Sequence, residues 1–416
     1  MRSTGCAVVA MVMALCAGPY QAFAQSGAAR SSEDRGLLKE PGAMQRAVAL
    51  AEKYAPGGEP KDGFFLETGH LITGSGWVAA GPGYRHHVFG DRAVASGSAA
   101  VSWRLYTMAH GSLDTAPAGH HTWSYGVGAL YQDALQINFF GLGNETLAAA
   151  RSGYRLQSFD VDVHTTYTRG DVTLQARLGW LPMIDVRSMA GRVPAYPDVL
   201  DVFTEATAPG ASAQRSFAHG DVSVTWDGRD RPGRPTRGGV YAARYSNYGD
   251  LDGGLYSFHG VQLEGTHYIP LGSPRWIAAL HGWSAFTGTS EGRVVPFYLM
   301  PNVGGQSTIR GYRDYRFSGP QMVSVSAESR VALLTHVDAA VFVDAGRVAD
   351  RVNQLGVSGF KHAVGVGVRV HTKMAALARL DVARSDDGWF AAFALTEPFT
   401  RKTFWGRLSP TVPFVP

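Results

Sequence analysis

What most constrains this chain is an alternation that recurs over about three hundred residues. Segments 123–131, 159–167, 172–180, 217–226, 240–248, 258–268 and 276–286 place apolar and polar or small residues on alternate positions. So do 98–106 near the start, and 322–334, 337–345, 361–370, 376–383 and 389–395 near the end. A period of two marks strands whose faces meet different surroundings. Most segments are close to the ~9–11 residues that a tilted strand needs to cross a bilayer. After Ala24 no stretch of ~20 apolar residues supplies a spanning helix. Only helices and closed barrels satisfy every backbone polar group in lipid, so a barrel is the spanning structure this pattern permits.

The faces can be read off. In Val337-Asp338-Ala339-Ala340-Val341-Phe342-Val343-Asp344, the valines and Ala339 share one side, and Asp338, Ala340, Phe342 and Asp344 share the other. In residues 364–370 four valines alternate with Gly365, Gly367 and Arg369. Glu328 shares a side with Ser326 and Arg330, while Val323, Val325 and Val331 take the other. The apolar side suits lipid, and the polar or small side suits a lumen. A soluble β-sandwich would alternate too. Strand length, an export signal and aromatics at strand ends (Trp226, Tyr268, Trp389, Phe399) favour the membrane.

That export signal is residues 1–24. Arg2 precedes an apolar run ending near Ala17, and Ala22-Phe23-Ala24 is a small-x-small cleavage site. A lipoprotein signal would need a small residue before Cys16, where Leu15 stands. Cys6 and Cys16 are the only cysteines. Both leave with the signal, so the reading excludes disulfides, thiol nucleophiles and cysteine metal sites. A pI of 9.0 rests on a net charge of only +4, with no basic block to suggest a nucleic-acid partner.

Residues 25–62 read as a periplasmic N-terminal arm. Positions 43–54 form one short helix, with Met44, Val48 and Ala51 on one face, and Pro56-Gly57-Gly58 and Pro60 end it. The arm reads either as a flexible segment or as a helix that plugs the pore. Residues 63–399 form the barrel and 400–416 a C-terminal tail. The barrel stretch has room for sixteen strands at about 21 residues each with their loops. The turns include Gly111-Ser112 and residues 168–171. The fold class is therefore all-β, a transmembrane antiparallel β-barrel of sixteen strands with a long inward-folded loop.

That loop is residues 301–315, too polar and glycine-rich for a strand. Its Gly304-Gly305-Gln306-Ser307-Thr308-Ile309-Arg310-Gly311-Tyr312 resembles the lumen loop of the BamA/TamA outer-membrane superfamily, or bacterial surface antigen family, with Ile309 in place of a valine. Phe342-Val343-Asp344-Ala345-Gly346 resembles that family's Phe-x-Asp strand, which receives the loop arginine. Asp227-Gly228-Arg229-Asp230 with Pro235-Thr236-Arg237-Gly238 is similar to its Arg-Asp…Pro-Thr-x-Gly hairpin. Phe140-Gly141-Leu142-Gly143-Asn144 and Arg379-Leu380-Asp381 match two further stretches, all in family order. The departures are at the ends. The arm has no room for a POTRA domain, the module that receives substrate in assembly factors, and a proline-bearing tail follows Phe399.

The resemblance implies a lumen loop motif of Ile309, Arg310, Gly311 and Tyr312, anchored by Asp344, Phe342 and Glu328. A guanidinium fork matches a carboxylate two-handed, which suits Arg310 to Asp344. The bland reading of Arg310 is a solvated loop arginine. His86, His87, His110, His120 and His121 invite a metal site, but adjacent residues on a strand face opposite ways, and loop tips are their natural home. Gly141-x-Gly143 lacks the context of a phosphate loop. Ser124 near His120 and His121 would have to act without a Gly-x-Ser-x-Gly elbow. No enzyme, cofactor or metal is expected. The resemblance implies assistance in inserting or transporting polypeptide or lipid at the outer membrane. Outer-membrane lipids and unfolded polypeptide clients are the partners, and a weakly closed seam between first and last strands is the route. The alternative is a passive channel or structural barrel.

Overall fold

The computed structural model describes residues 36–54, 62–69, 79–116, 121–190, 196–212, 214–231, 234–356, 358–372, 376–395 and 399. The signal 1–24, arm residues 25–35, the proline-glycine break after the helix and the tail 400–416 lie outside them.

The architecture is one antiparallel sheet of sixteen strands, each paired with its neighbour in sequence. The first eight are β1 (Gly63–Gly69), β2 (Ala79–Val88), β3 (Ala93–Ser102), β4 (Thr107–Thr115), β5 (His121–Phe139), β6 (Ser152–Arg169), β7 (Val172–Arg187) and β8 (Arg215–Asp227). Three more precede the long loop: β9 (Gly238–Asp250), β10 (Phe258–Ser273) and β11 (Trp276–Gly288). Within the loop a short pair, β12 (Asn302–Val303) and β13 (Phe317–Ser318), draws its two limbs together. The sheet resumes with β14 (Gln321–Leu334), β15 (Val337–Ala349), β16 (Lys361–His371), β17 (Ala376–Ser385) and β18 (Gly388–Ala394). Within the sheet's order β1 and β18 stand at its two ends.

The alternation behaves as the residues require. On β16, Val366 is 57% exposed, whereas Ala363 and Arg369 are buried. On β14 and β15 the buried positions include Ser326, Glu328, Arg330, Asp338, Phe342 and Asp344. Apolar side chains thus line the outer face and charged ones the lumen, as lipid on one side demands. The turn between β14 and β15 is two residues long, and the loop between β11 and β14 is the long one. The two lie at opposite ends of the sheet, called here the turn end and the loop end.

Four expectations need correction. Residues 98–106 are not one strand: β3 stops at Ser102, and a turn runs through Trp103 and Leu105, whose φ is +65°. Gly111-Ser112 is no turn but the middle of β4, because short side chains there read like turn residues while pairing with β3 and β5. Tyr268 is only 1% exposed and faces the lumen, not the membrane interface, while Trp389 at 65% does face outward. Phe399 is also buried, and the last strand ends before it at Ala394.

Helix α1 (Gly42–Tyr54) forms where the apolar spacing placed it. The chain ahead of it is pinned at the turn end. A bulge between Ala332 and Leu334 on β14 presents two carbonyls outside the ladder. Leu37 N–H donates to Ala332 O at 3.0 Å and Leu38 N–H to Leu333 O at 2.8 Å. The buried Glu40 carboxylate then accepts from His336 N at 3.1 Å and faces its Nδ1 at 2.9 Å. This part of the arm is thus docked on the β14–β15 turn.

Candidate functional site: the lumen loop and its anchor

The loop doubles back on itself before it reaches its anchor. Gly304 and Gly305 hold φ of +121° and +88°, a region side chains avoid. A Cβ on Gly304 would lie 2.4 Å from Arg313 O. The Thr308 hydroxyl closes this turn by accepting from Gly304 N–H at 2.8 Å. The tip is then Ile309, Arg310, Gly311 and Tyr312, and all three side chains are buried.

Arg310 reaches across the lumen to β15 and β14. Its Nε and Nη2 donate to the two carboxylate oxygens of Asp344, each at 2.8 Å, and its backbone N–H adds a third bond at 3.0 Å. Its Nη1 donates to Glu328 Oε2 at 2.5 Å. The guanidinium carbon sits 3.4 Å from the centroid of the Phe342 ring, a cation–π contact. The sequence-predicted residues Ile309, Arg310, Gly311, Tyr312, Phe342, Asp344 and Glu328 are therefore brought to one place. The solvated-arginine reading of Arg310 does not describe this geometry.

Glu328 does more than receive Arg310. It also accepts from Arg330 Nε at 2.7 Å and from Arg369 Nη2 at 2.8 Å. Arg369 pairs in turn with Asp381 at 2.6 Å, and Asp381 with Arg379 at 2.6 Å. Arg379 returns to the loop, donating to Gln306 O at 3.1 Å. Among the described residues, four buried guanidiniums thus share three buried carboxylates.

The small residues of the motifs make room for this network. A Cβ on Gly365 would come 2.4 Å from Phe342 Cζ, and one on Gly367 would come 2.2 Å from Asp381 Oδ1. One on Gly346 would press Ile309 Cδ1 at 3.0 Å. One on Gly311 would meet Ala363 Cβ at 2.5 Å and Ser385 Cβ at 3.0 Å. The Gly-x-Gly of β16 and the glycine of Phe-x-Asp-x-Gly are therefore spaces for specific neighbours.

The loop also holds the final hairpin. Ser385 Oγ, at the end of β17, donates to Gly311 O at 2.5 Å, and Tyr312 Oη lies 3.5 Å from Asp386. Arg316 donates through Nε to Asp387 at 2.5 Å, and through Nη1 and Nη2 to Thr146 Oγ1 and O at 2.9 and 2.8 Å. Its guanidinium lies between the rings of Phe140 and Phe317. Sequence reasoning missed Arg316, Asp387 and the Arg369–Asp381–Arg379 chain. The same alternation that turned Asp344 inward would have found Arg379 and Asp381, which are two apart on β17. Arg316 and Asp387 lie in loops, where no period marks direction.

The remaining motifs serve the same assembly. Asn144 donates to Gly359 O at 2.7 Å and accepts from Val348 N, and Gly143 N–H donates to Ser318 O at 2.8 Å. The 227–238 hairpin closes through Asp230, which accepts from Thr236 N and Oγ1 at 2.8 and 2.6 Å. Its Arg234 reaches Asp338 on β15 at 2.8 Å.

His87 and His86 approach Asp62 at 2.7 and 3.4 Å. Among the described residues no group of three or more His, Cys, Asp or Glu is arranged to hold a metal ion. His120 lies outside the described residues, and Ser124 is buried within β5.

Residues 195–388 match the Omp85 superfamily domain, a stretch that contains the whole loop and its anchor and bears out the resemblance read from the motifs. The fold is similar to that of BamA from Haemophilus ducreyi lacking POTRA domains 1-3, with a TM-score of 0.58 at 16% identity, covering 81% of this chain and 70% of that one. It is also similar to CdiB from Acinetobacter baumannii, with a TM-score of 0.47 at 13% identity over 80% of this chain and 58% of that one. No curated protein matches the chain in sequence.

Proposed function

Starting from an outer-membrane barrel that carries an Omp85 superfamily domain, we propose that this protein assists the insertion or translocation of polypeptide at the outer membrane through the seam between β1 and β18. The role is non-enzymatic, and the chain reaches the membrane by export under its 1–24 signal. The observation that carries the reading is the length of the last strand. β18 has seven residues while β5 and β6 run to 19 and 18, and β1 and β18 stand at the two ends of the sheet's order. Short strands have few ladder bonds to lose, so the wall parts there at the least cost.

The lumen loop supplies the complementary half. It grips β17 and the β17–β18 turn from inside through Ser385, Asp386 and Asp387. The last hairpin is thus held to a rigid anchor while its free edge faces the seam. An exposed strand edge is a template for another strand, which is the form in which a β-rich client would be received.

The passive-channel reading finds less support. The loop and its guanidinium network occupy the lumen, and at the loop end Phe139, Tyr154, Phe203 and Phe297 pack ring against ring. A water-filled path needs both to be displaced.

The test is an insertion assay. The protein is reconstituted in liposomes, and folding of a urea-held outer-membrane barrel is followed with and without it. Acceleration of client folding is the expected result. No acceleration, from protein that itself runs as a folded heat-modifiable band, overturns the assembly reading and leaves the structural barrel.

A further inference from the structure

Phe399 sits where no barrel strand places it. β18 ends at Ala394 at the turn end, yet the Phe399 side chain is buried inside the lumen, 6% exposed. It forms a compact apolar cluster with Tyr268 on β10 and Ile277 and Ala279 on β11. Its ring lies parallel to the His281 imidazole, 4.9 Å away and 17° from coplanar. The guanidinium carbons of Arg310 and Arg330 are 5.6 and 5.8 Å from its centroid. His281 is itself held by Glu264 at 3.1 Å.

Each contact suits an aromatic ring more than an aliphatic chain. A flat imidazole takes a flat partner, and two cations take the negative face of a π system. An aliphatic side chain would fill the volume without that attraction.

We infer that Tyr268, Ile277, Ala279, His281 and Arg330 form a lumenal seat selective for one aromatic side chain, filled by the chain's own Phe399. Arg310 of the long loop reaches the same ring, so the seat and the loop anchor meet there. This inference concerns the lumen alone and stands or falls independently of the insertion role.

Ala279 is fully buried beneath the ring, which makes it a reporter. In full chain with Cys6 and Cys16 replaced by serine, the thiol introduced by Ala279→Cys is titrated with a membrane-impermeant maleimide. Slow labelling is expected with Phe399 present. Phe399→Ala is expected to speed it by about tenfold or more, the population change that losing a buried aromatic produces. Phe399→Tyr is expected to keep the protection and Phe399→Leu to lose part of it, a ranking that simple filling of space does not give. Heat-modifiable migration checks the fold of each variant, and where Phe399→Ala fails that check, the Tyr–Leu comparison decides. Rapid labelling with Phe399 in place, equal rates in folded Phe399→Ala, or equal rates for Tyr and Leu overturns the inference.

Discussion

Arg310→Ala is expected to release the lumen loop and to lower barrel stability by about 3–5 kcal/mol, the cost of removing one partner from a buried ion pair. The physical reason lies in what remains. Asp344 loses both side-chain bonds of a bidentate pair and keeps only the loop N–H, itself dependent on loop position. Phe342 loses the cation over its face. The tip then keeps the bonds from Ser385 to Gly311 O and from Arg379 to Gln306 O, while Arg316 still ties the base of the loop to Asp387. Limited proteolysis should cut the variant within residues 304–316 while the sixteen strands stay folded, and the temperature of heat-modification should fall. Arg310→Lys should be intermediate, because an ammonium keeps the charge but not the planar fork. A loop as resistant in Arg310→Ala as in the parent would remove the anchor from the account.

Glu328→Gln is expected to cost as much, for the opposite reason. Here the cations are stranded. Arg310, Arg330 and Arg369 all converge on this one carboxylate. With Glu328 neutral, Arg310 and Arg369 keep Asp344 and Asp381, but Arg330 loses the carboxylate that its Nε donates to and the three guanidiniums lose their common anion. The amide also turns a donor toward donors. A loss of about 3–5 kcal/mol is the scale for an uncompensated buried charge. Because Arg310 and Glu328 belong to one network, the double variant should cost less than the sum of the two singles. Denaturant titration of the four proteins measures this coupling, and strict additivity would show that the two side chains act separately.

Much of this arrangement was legible in the sequence because a strand has only two faces. Once Val341 and Val343 are placed in lipid, Phe342 and Asp344 must point inward, and Glu328 follows from Val325 and Val331 by the same step. The loop arginine then needed only its motif. Legibility failed where the period fails. Trp103 and Leu105 continue an alternation by composition, but Leu105 takes a positive φ that no residue pattern announces. Gly111-Ser112 looked like a turn because a small lumenal pair and a turn pair share a composition. Phe399 and Tyr268 were read as interfacial because an aromatic at a strand end is ambiguous. The lumen of this barrel holds an aromatic seat as well as charges. Arg316 and Asp387 meet across 71 residues of chain, and only the folded loop brings them together.

The central claim is that the wall is weakest between β1 and β18, and amide hydrogen exchange on the unmodified protein tests it most directly. In a sheet of uniform strength, protection follows depth in the membrane and not position around the barrel. The account predicts that amides of β18 and β1 exchange far faster than those at the same depth in β5 to β7, with β17 intermediate because the loop holds its end. Local opening of the strands at the two ends of the sheet's order costs little beside the global unfolding that long central strands require. Equal protection of β18 and β6 would contradict the account, since a seam as firm as the opposite wall offers a client no place to enter.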